Sequence, residues 1–260
     1  MAISYSVGVG VFNDGSGTTL DAGSTISHSA NDLIVGMCGW EDSDTTGTID
    51  TVDSSFPLTM LTESNDGSNY IRLGWVQAGS AGTNKTWRLT TTDSVGYRHL
   101  IVMVFSVDAD ETVTKEDGGD GSSDNNGSGT SVSSNSISVT GSDILLVGAV
   151  KSYAYMAISN QQLAGGAADG SIETDGDMGS MWYKSFSEAQ SNKNATATYS
   201  DTYAWVCDIV GFASAGVGGN GDGGGYNIIA NYYKYLMQGY RYDERHGLYL
   251  PKIYSLGGIN

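Results

Sequence analysis

Apolar residues along this chain recur at every second position or in short unbroken runs, the two signatures of β-strands. Ile3, Tyr5, Val7, Val9 and Val11 alternate with small or polar residues, so they share one face of an N-terminal strand. Leu33 to Trp40 and Leu100 to Val107 are apolar or small almost throughout, which predicts strands covered on both faces. Ile71, Leu73 and Trp75 alternate again. Between these runs lie Asp42-Ser43-Asp44, Asn65-Asp66-Gly67 and Gly79-Ser80-Ala81-Gly82, all turn chemistry. No long helical period appears before residue 225.

The strand pattern occurs twice. Ile26-Ser27 and Asp32-Leu33-Ile34-Val35-Gly36 are echoed by Ile137-Ser138 and Asp143-Ile144-Leu145-Leu146-Val147-Gly148. Asn84-Lys85 returns as Asn192-Lys193, and Phe105-Ser106 as Phe212-Ala213, at a nearly constant offset. The repeat predicts an all-β, antiparallel sandwich over residues 1–215, built from related halves at about 1–110 and 130–215. Two arrangements fit: tandem immunoglobulin-like sandwiches, or two Greek keys completing one jelly roll. A jelly-roll-like fold is the expectation, because jelly rolls are assembled from two Greek keys. The stretch Glu116 to Asn135, rich in Asp, Gly, Ser and Asn, reads as a solvated crossover loop between the halves.

A second break comes at residues 216–225, where GVGGNGDGGG has almost nothing to pack and reads as a connector. Eight of the 16 tyrosines follow it, and residues 226–260 carry four basic against two acidic side chains. Ile229, Tyr232, Tyr233, Leu236, Met237 and Tyr240 recur at helical spacing, while Tyr249, Leu250, Pro251 and Ile253 look extended. A free helix of about three turns is marginal in water, so this segment must pack on something. It is therefore read as an anchoring arm whose docking residues are those six together with Tyr249. The alternative is that the arm folds back to cap its own sandwich.

Composition narrows the partners. The net charge of -17 arises from 12 Lys and Arg against 29 Asp and Glu, which disfavours nucleic acid. No apolar run approaches the roughly 18 residues of a membrane span, and the N-terminal MAISYSVGVGVF lacks the basic start of a signal peptide. Neither a membrane nor an export signal is expected. Cys38 and Cys207 stand far apart inside apolar runs, as buried thiols do, and no companion His completes a zinc spacing.

Candidate chemistry is sparse. The histidines, His28, His99 and His246, fall in no catalytic motif, and His99 reads as a strand-end residue bonded to a loop. Nucleophile-elbow, phosphate-loop and His-Glu-x-x-His patterns are absent, so no catalytic residue and no enzymatic activity are expected. Acids cluster at Asp169, Glu173, Asp175 and Asp177, and at Asp117, Asp120 and Asp124. Neither group follows a calcium-loop spacing, so no cofactor is expected, calcium being the one ion such oxygen-rich loops could hold. Of the tryptophans, Trp75, Trp87, Trp182 and Trp205 read as packing residues. Trp40, followed at once by Glu41 and Asp42 at a strand end, is the candidate glycan contact.

The string Asn31 to Trp40, Val52-Asp53 before Leu58 to Leu61, Leu73-Gly74-Trp75, and Thr86-Trp87-Arg88-Leu89 resemble β-sandwich proteins encoded among phage structural genes. The resemblance spans roughly residues 25 to 215, and the Tyr-rich tail departs from it. It implies a virion accessory: a capsid decoration, head fibre or tail-associated adhesin, assembled in the host cytoplasm. Its partners would be other virion proteins and further copies of itself. A carbohydrate-binding adhesin module is the alternative, and a polysaccharide-active enzyme, resting on the acidic clusters, comes third.

Overall fold

The computed structural model describes residues 3–41, 45–53, 55–119, 126–174, 179–216, 240–243 and 248–251. They divide between two compact units, Met1–Val217 and Gly218–Asn260. The described residues contain strands and no helix.

The first half of the large unit runs β1 (Ile3–Asn13), β2 (Gly17–Asp21), β3 (Ile26–His28), β4 (Leu33–Glu41), β5 (Gly47–Thr51), β6 (Thr59–Met60), β7 (Ser64–Asn65), β8 (Asn69–Gln77), β9 (Gly82–Lys85) and β10 (Trp87–Val107). The second half runs β11 (Glu111–Gly118), β12 (Asn126–Ser133), β13 (Ile137–Val139), β14 (Ser142–Ser152), β15 (Ile158–Leu163), β16 (Gly166–Ala167), β17 (Gly170–Glu173), β18 (Gly179–Phe186), β19 (Gln190–Lys193) and β20 (Ala195–Gly216). The small unit contributes a hairpin of β21 (Tyr240–Asp243) and β22 (Leu248–Pro251).

Pairing repeats between the halves. β4 lies between β8 and β10 as β14 lies between β18 and β20, and β3 pairs β9 as β13 pairs β19. The correspondence reaches single atoms. Asn84 and Asn192 both take left-handed backbone angles, φ 49° and 55°, a conformation asparagine tolerates. Their N–H groups donate to Ser27 Oγ at 2.9 Å and Ser138 Oγ at 3.0 Å. The internal repeat read from sequence is thus a repeated local structure.

All of these pairings are antiparallel, so the antiparallel sandwich stands. The strand order does not carry the finer expectation of one jelly roll. Each half supplies an eight-stranded sheet of its own, instead of contributing one Greek key to a shared eight-stranded sandwich. The long strands β10 and β20 make this possible by serving two layers. The C-terminal part of β10 pairs β1 and β4, and its N-terminal part pairs β2 and β5.

Period-two alternation then sorts the apolar residues into three cores. On β4, Leu33, Val35 and Met37 face inward with Ile101, Met103 and Phe105 of β10 and with Leu145, Val147, Ala149, Val210 and Phe212 of the second half. The intervening Ile34, Cys38 and Trp40 face the other way, into a core beneath Leu20, Ile26, Ile49, Trp87 and Leu89. The second half repeats this with Leu146, Val150, Trp182, Cys207 and Ile209 beneath Val132, Ile137, Ile158 and Ala195. Because the central core draws on both halves, they form one body.

Candidate functional site

The inward faces do not stay apolar to their ends. Continuing β4 past Met37 on the same face brings Gly39 and Glu41, continuing β14 past Ala149 brings Lys151, and continuing β8 back from Ile71 brings Asn69. Glu41 and Asn69 are directly paired across the β4–β8 ladder. Lys151 crosses from the other sheet to meet both: its Nζ donates to Glu41 Oε1 at 2.9 Å, to Asn69 Oδ1 at 2.9 Å and to the Ser152 carbonyl at 3.3 Å. The side chains of Lys151 and Glu41 are 0% and 1% exposed. Gly39 is what lets the lysine through, since a β-carbon there would press on the Lys151 stem and on the Tyr70 carbonyl.

Asp66 fixes the asparagine from the far side. Its carboxylate accepts from the Asn69 backbone N–H at 2.7 Å and from Nδ2 at 2.9 Å. A carboxylate can only accept and an ammonium can only donate, so the amide is held with Oδ1 toward Lys151 and Nδ2 toward Asp66.

His99 borders the cluster, fully buried inside β10 rather than at a strand end, with Nδ1 3.0 Å from Thr174 Oγ1 in a loop. Its ring stacks on Phe12 at 4.7 Å. Burial, and secondarily the positive charge of Lys151, hold its pKa well below the usual value of 6.5. The folded protein therefore keeps His99 neutral while the unfolded chain protonates it below that value. Stability from this residue is fully present above pH 6.5 and declines as pH falls through it. Acidification below that point should cost up to about 1.4 kcal/mol per pH unit from His99 alone. Urea titrations at a series of pH values should show a flatter dependence in His99→Gln; an unchanged dependence would contradict the assignment.

Above this cluster the surface is aromatic. Phe12 meets Tyr97 at 6.4 Å and the edge of Tyr155 at 5.7 Å. Tyr97 is 37% and Tyr155 58% exposed. Tyr97 sits where the β4–β10 register shifts between Gly96 and His99, at φ 46°, a left-handed angle uncommon for a bulky residue. Backbone strain of this kind costs about 1 to 3 kcal/mol and persists only where surrounding structure enforces it.

Trp40 is not part of this surface. It is fully buried, stacked on Tyr70 at 5.9 Å and roofed by Gly47, where a β-carbon would strike its ring. The strand-end position beside acids suggested exposure, but Trp40 alternates with Gly39 and Glu41 and so points into the first half's outer core. Of the arm residues, Ile229, Tyr232, Tyr233, Leu236 and Met237 lie outside the described residues. Tyr240 and Tyr249 belong to the hairpin strands. Asp169 accepts from Ser185 N–H, Glu173 from Gln161, and Asp117 from Ser138 N–H, so these acids serve hydrogen bonds within and between the strands. Asp120, Asp124, Asp175 and Asp177 lie outside the described residues. Cys38 and Cys207 are free thiols in separate cores, and burial pushes Cys38 up to about 12.

The sequence reading missed Lys151 and Asn69. A visible signal existed for the lysine: it ends the apolar run Ile144 to Val150 in a chain with only 12 Lys and Arg. Nothing local announced Asn69, which sits in an ordinary turn-to-strand transition.

No family model matches this chain, no curated protein matches it, and no solved structure matches it. The functional reading therefore rests on the residues themselves.

Proposed function

We propose that this chain is a non-enzymatic structural or accessory protein of a phage particle. Its acidic β-sandwich body is displayed, and its C-terminal arm docks onto other virion proteins and further copies of the chain. The observation that carries the reading is the division at Val217 and Gly218, inside the Gly-rich connector, where charge sign and tyrosine density also change. A capsid decoration, head fibre or tail-associated adhesin all need such a division between body and anchor. Tyrosines suit the anchor because the ring buries apolar area while the hydroxyl satisfies polar groups at an interface rim.

A chain truncated after Ala215 should remain soluble and monomeric and unfold in one cooperative transition, while losing incorporation into particles. Loss of cooperative unfolding would instead make the arm a cap on its own body and overturn the docking role.

A second reading, a carbohydrate-binding adhesin module, is favoured by the partly exposed pair Tyr97 and Tyr155 around Phe12. Aromatic faces of this kind stack on sugar rings. Glycan-array binding that disappears in Tyr155→Ala would move the assignment to this class, and an array without binding would remove it.

A further inference from the structure

The Lys151, Asn69 and Glu41 cluster contains everything an acyl transfer between two side chains requires. The geometry points to an intramolecular isopeptide bond between Lys151 Nζ and Asn69 Cγ, formed by the folded chain itself with Glu41 as proton carrier.

Three features carry this. The nucleophile is in place: Nζ lies 2.9 Å from Asn69 Oδ1, which puts it within about 4 Å of Cγ given a C=O bond of about 1.2 Å. Holding two reactants side by side replaces a bimolecular encounter, an advantage that reaches ~10⁵–10⁸ M in effective concentration once the amine closes on Cγ to the roughly 3–3.5 Å of an aligned attack. The base is in place too, because Glu41 Oε1 accepts from the same nitrogen at 2.9 Å. Finally, the leaving group is held apart from the nucleophile, with Asn69 Nδ2 hydrogen-bonded to Asp66. All three reacting residues are buried, so water does not compete for the amide.

The reaction balances without a co-reactant. The Lys151 ammonium passes one proton to the Glu41 carboxylate, and the freed amine attacks Cγ. A tetrahedral centre forms as the carbonyl electron pair moves onto Oδ1. Glu41 delivers its proton to Nδ2 and receives the second proton from Nζ. The C–Nδ2 bond then breaks, its electron pair leaves on nitrogen as ammonia, and the carbonyl re-forms. One amide nitrogen has replaced another, with no oxidant, nucleotide or metal. A buried ammonium and carboxylate become an amide and a carboxylic acid, which relieves the desolvation that a buried ion pair suffers. The event happens once per molecule, so it is compatible with a protein that turns over no substrate. Its product ties β8 of the first half to β14 of the second, a covalent clasp suited to a body that bears load.

The test is the intact mass of the full-length protein under denaturing conditions. The wild type should be lighter than its sequence by one ammonia, about 17 Da, after allowing for initiator methionine. Proteolysis should yield one branched peptide joining Asn69 to Lys151, with no tryptic cleavage after Lys151. Glu41→Gln, verified as β-structured by circular dichroism, should keep its full sequence mass. Asn69→Asp should lose one water instead of ammonia. A folded wild type at full sequence mass, with separate Asn69 and Lys151 peptides, would overturn the proposal. A Glu41→Gln protein that links as readily as wild type would overturn the role of Glu41.

Discussion

Lys151→Ala should lower the unfolding free energy by about 3 to 5 kcal/mol, because it removes the link between β8 and β14 and leaves the Glu41 carboxylate buried opposite an unanswered amide. The expected size follows from position rather than from charge alone. An ion pair on the surface contributes between zero and about 1 kcal/mol, since water replaces either partner. Here the pair is sealed at the end of the central core, where neither partner can turn to solvent. The exposed pair Arg88–Asp21, at 2.5 Å, supplies the internal contrast. Arg88→Ala should change stability by less than about 1 kcal/mol. Replacing both partners, as in Lys151→Met with Glu41→Leu, should recover part of the loss, because apolar groups of similar volume tolerate the site. Urea unfolding of the three variants measures this directly. A Lys151→Ala protein as stable as wild type would mean that the halves are not held at this point.

Trp40→Ala should cost about 3 to 5 kcal/mol through the cavity it opens beneath Gly47 and against Tyr70. Tyr155→Ala should stay within about 0.5 kcal/mol of wild type, as expected for a surface residue making one edge contact. The pair of variants separates packing from recognition. If a glycan binds, Tyr155→Ala should weaken binding at unchanged stability, whereas Trp40→Ala should act only through unfolding. Equal stability of the Trp40→Ala variant and wild type would contradict its placement in the core.

The sandwich was legible because its determinants are local. Leu33 to Trp40 and Ile144 to Val150 are buried on both faces, and unbroken apolar runs announce that condition. The repeat was legible because Asn84 and Asn192 occupy the same left-handed turn and keep the same residue type there. What escaped is what depends on distant partners. Lys151 finds Glu41 110 positions away, and no periodicity links them. The sequence neighbours of Trp40, Glu41 and Asp42, point to an exposed strand end, while its burial depends on Gly47 of a different strand. The aromatic surface depends on a register shift at Tyr97, which places a ring where regular alternation would not. That each half closes a sheet of its own is likewise a property of long strands that change partners along their length, and the polar stretches where they do so, Thr90 to Ser94 in β10 and Ser200 to Thr202 in β20, read locally as turns.

The displayed-body account makes its most exposed claim about location. Quantitative mass spectrometry of purified phage particles from the source sample tests it, comparing the full chain with a chain ending at Ala215. The account predicts that the full chain is present in multiple copies per particle and that the truncated chain is lost on purification. Particles free of the full chain, with the protein recovered only from the soluble fraction, would contradict it.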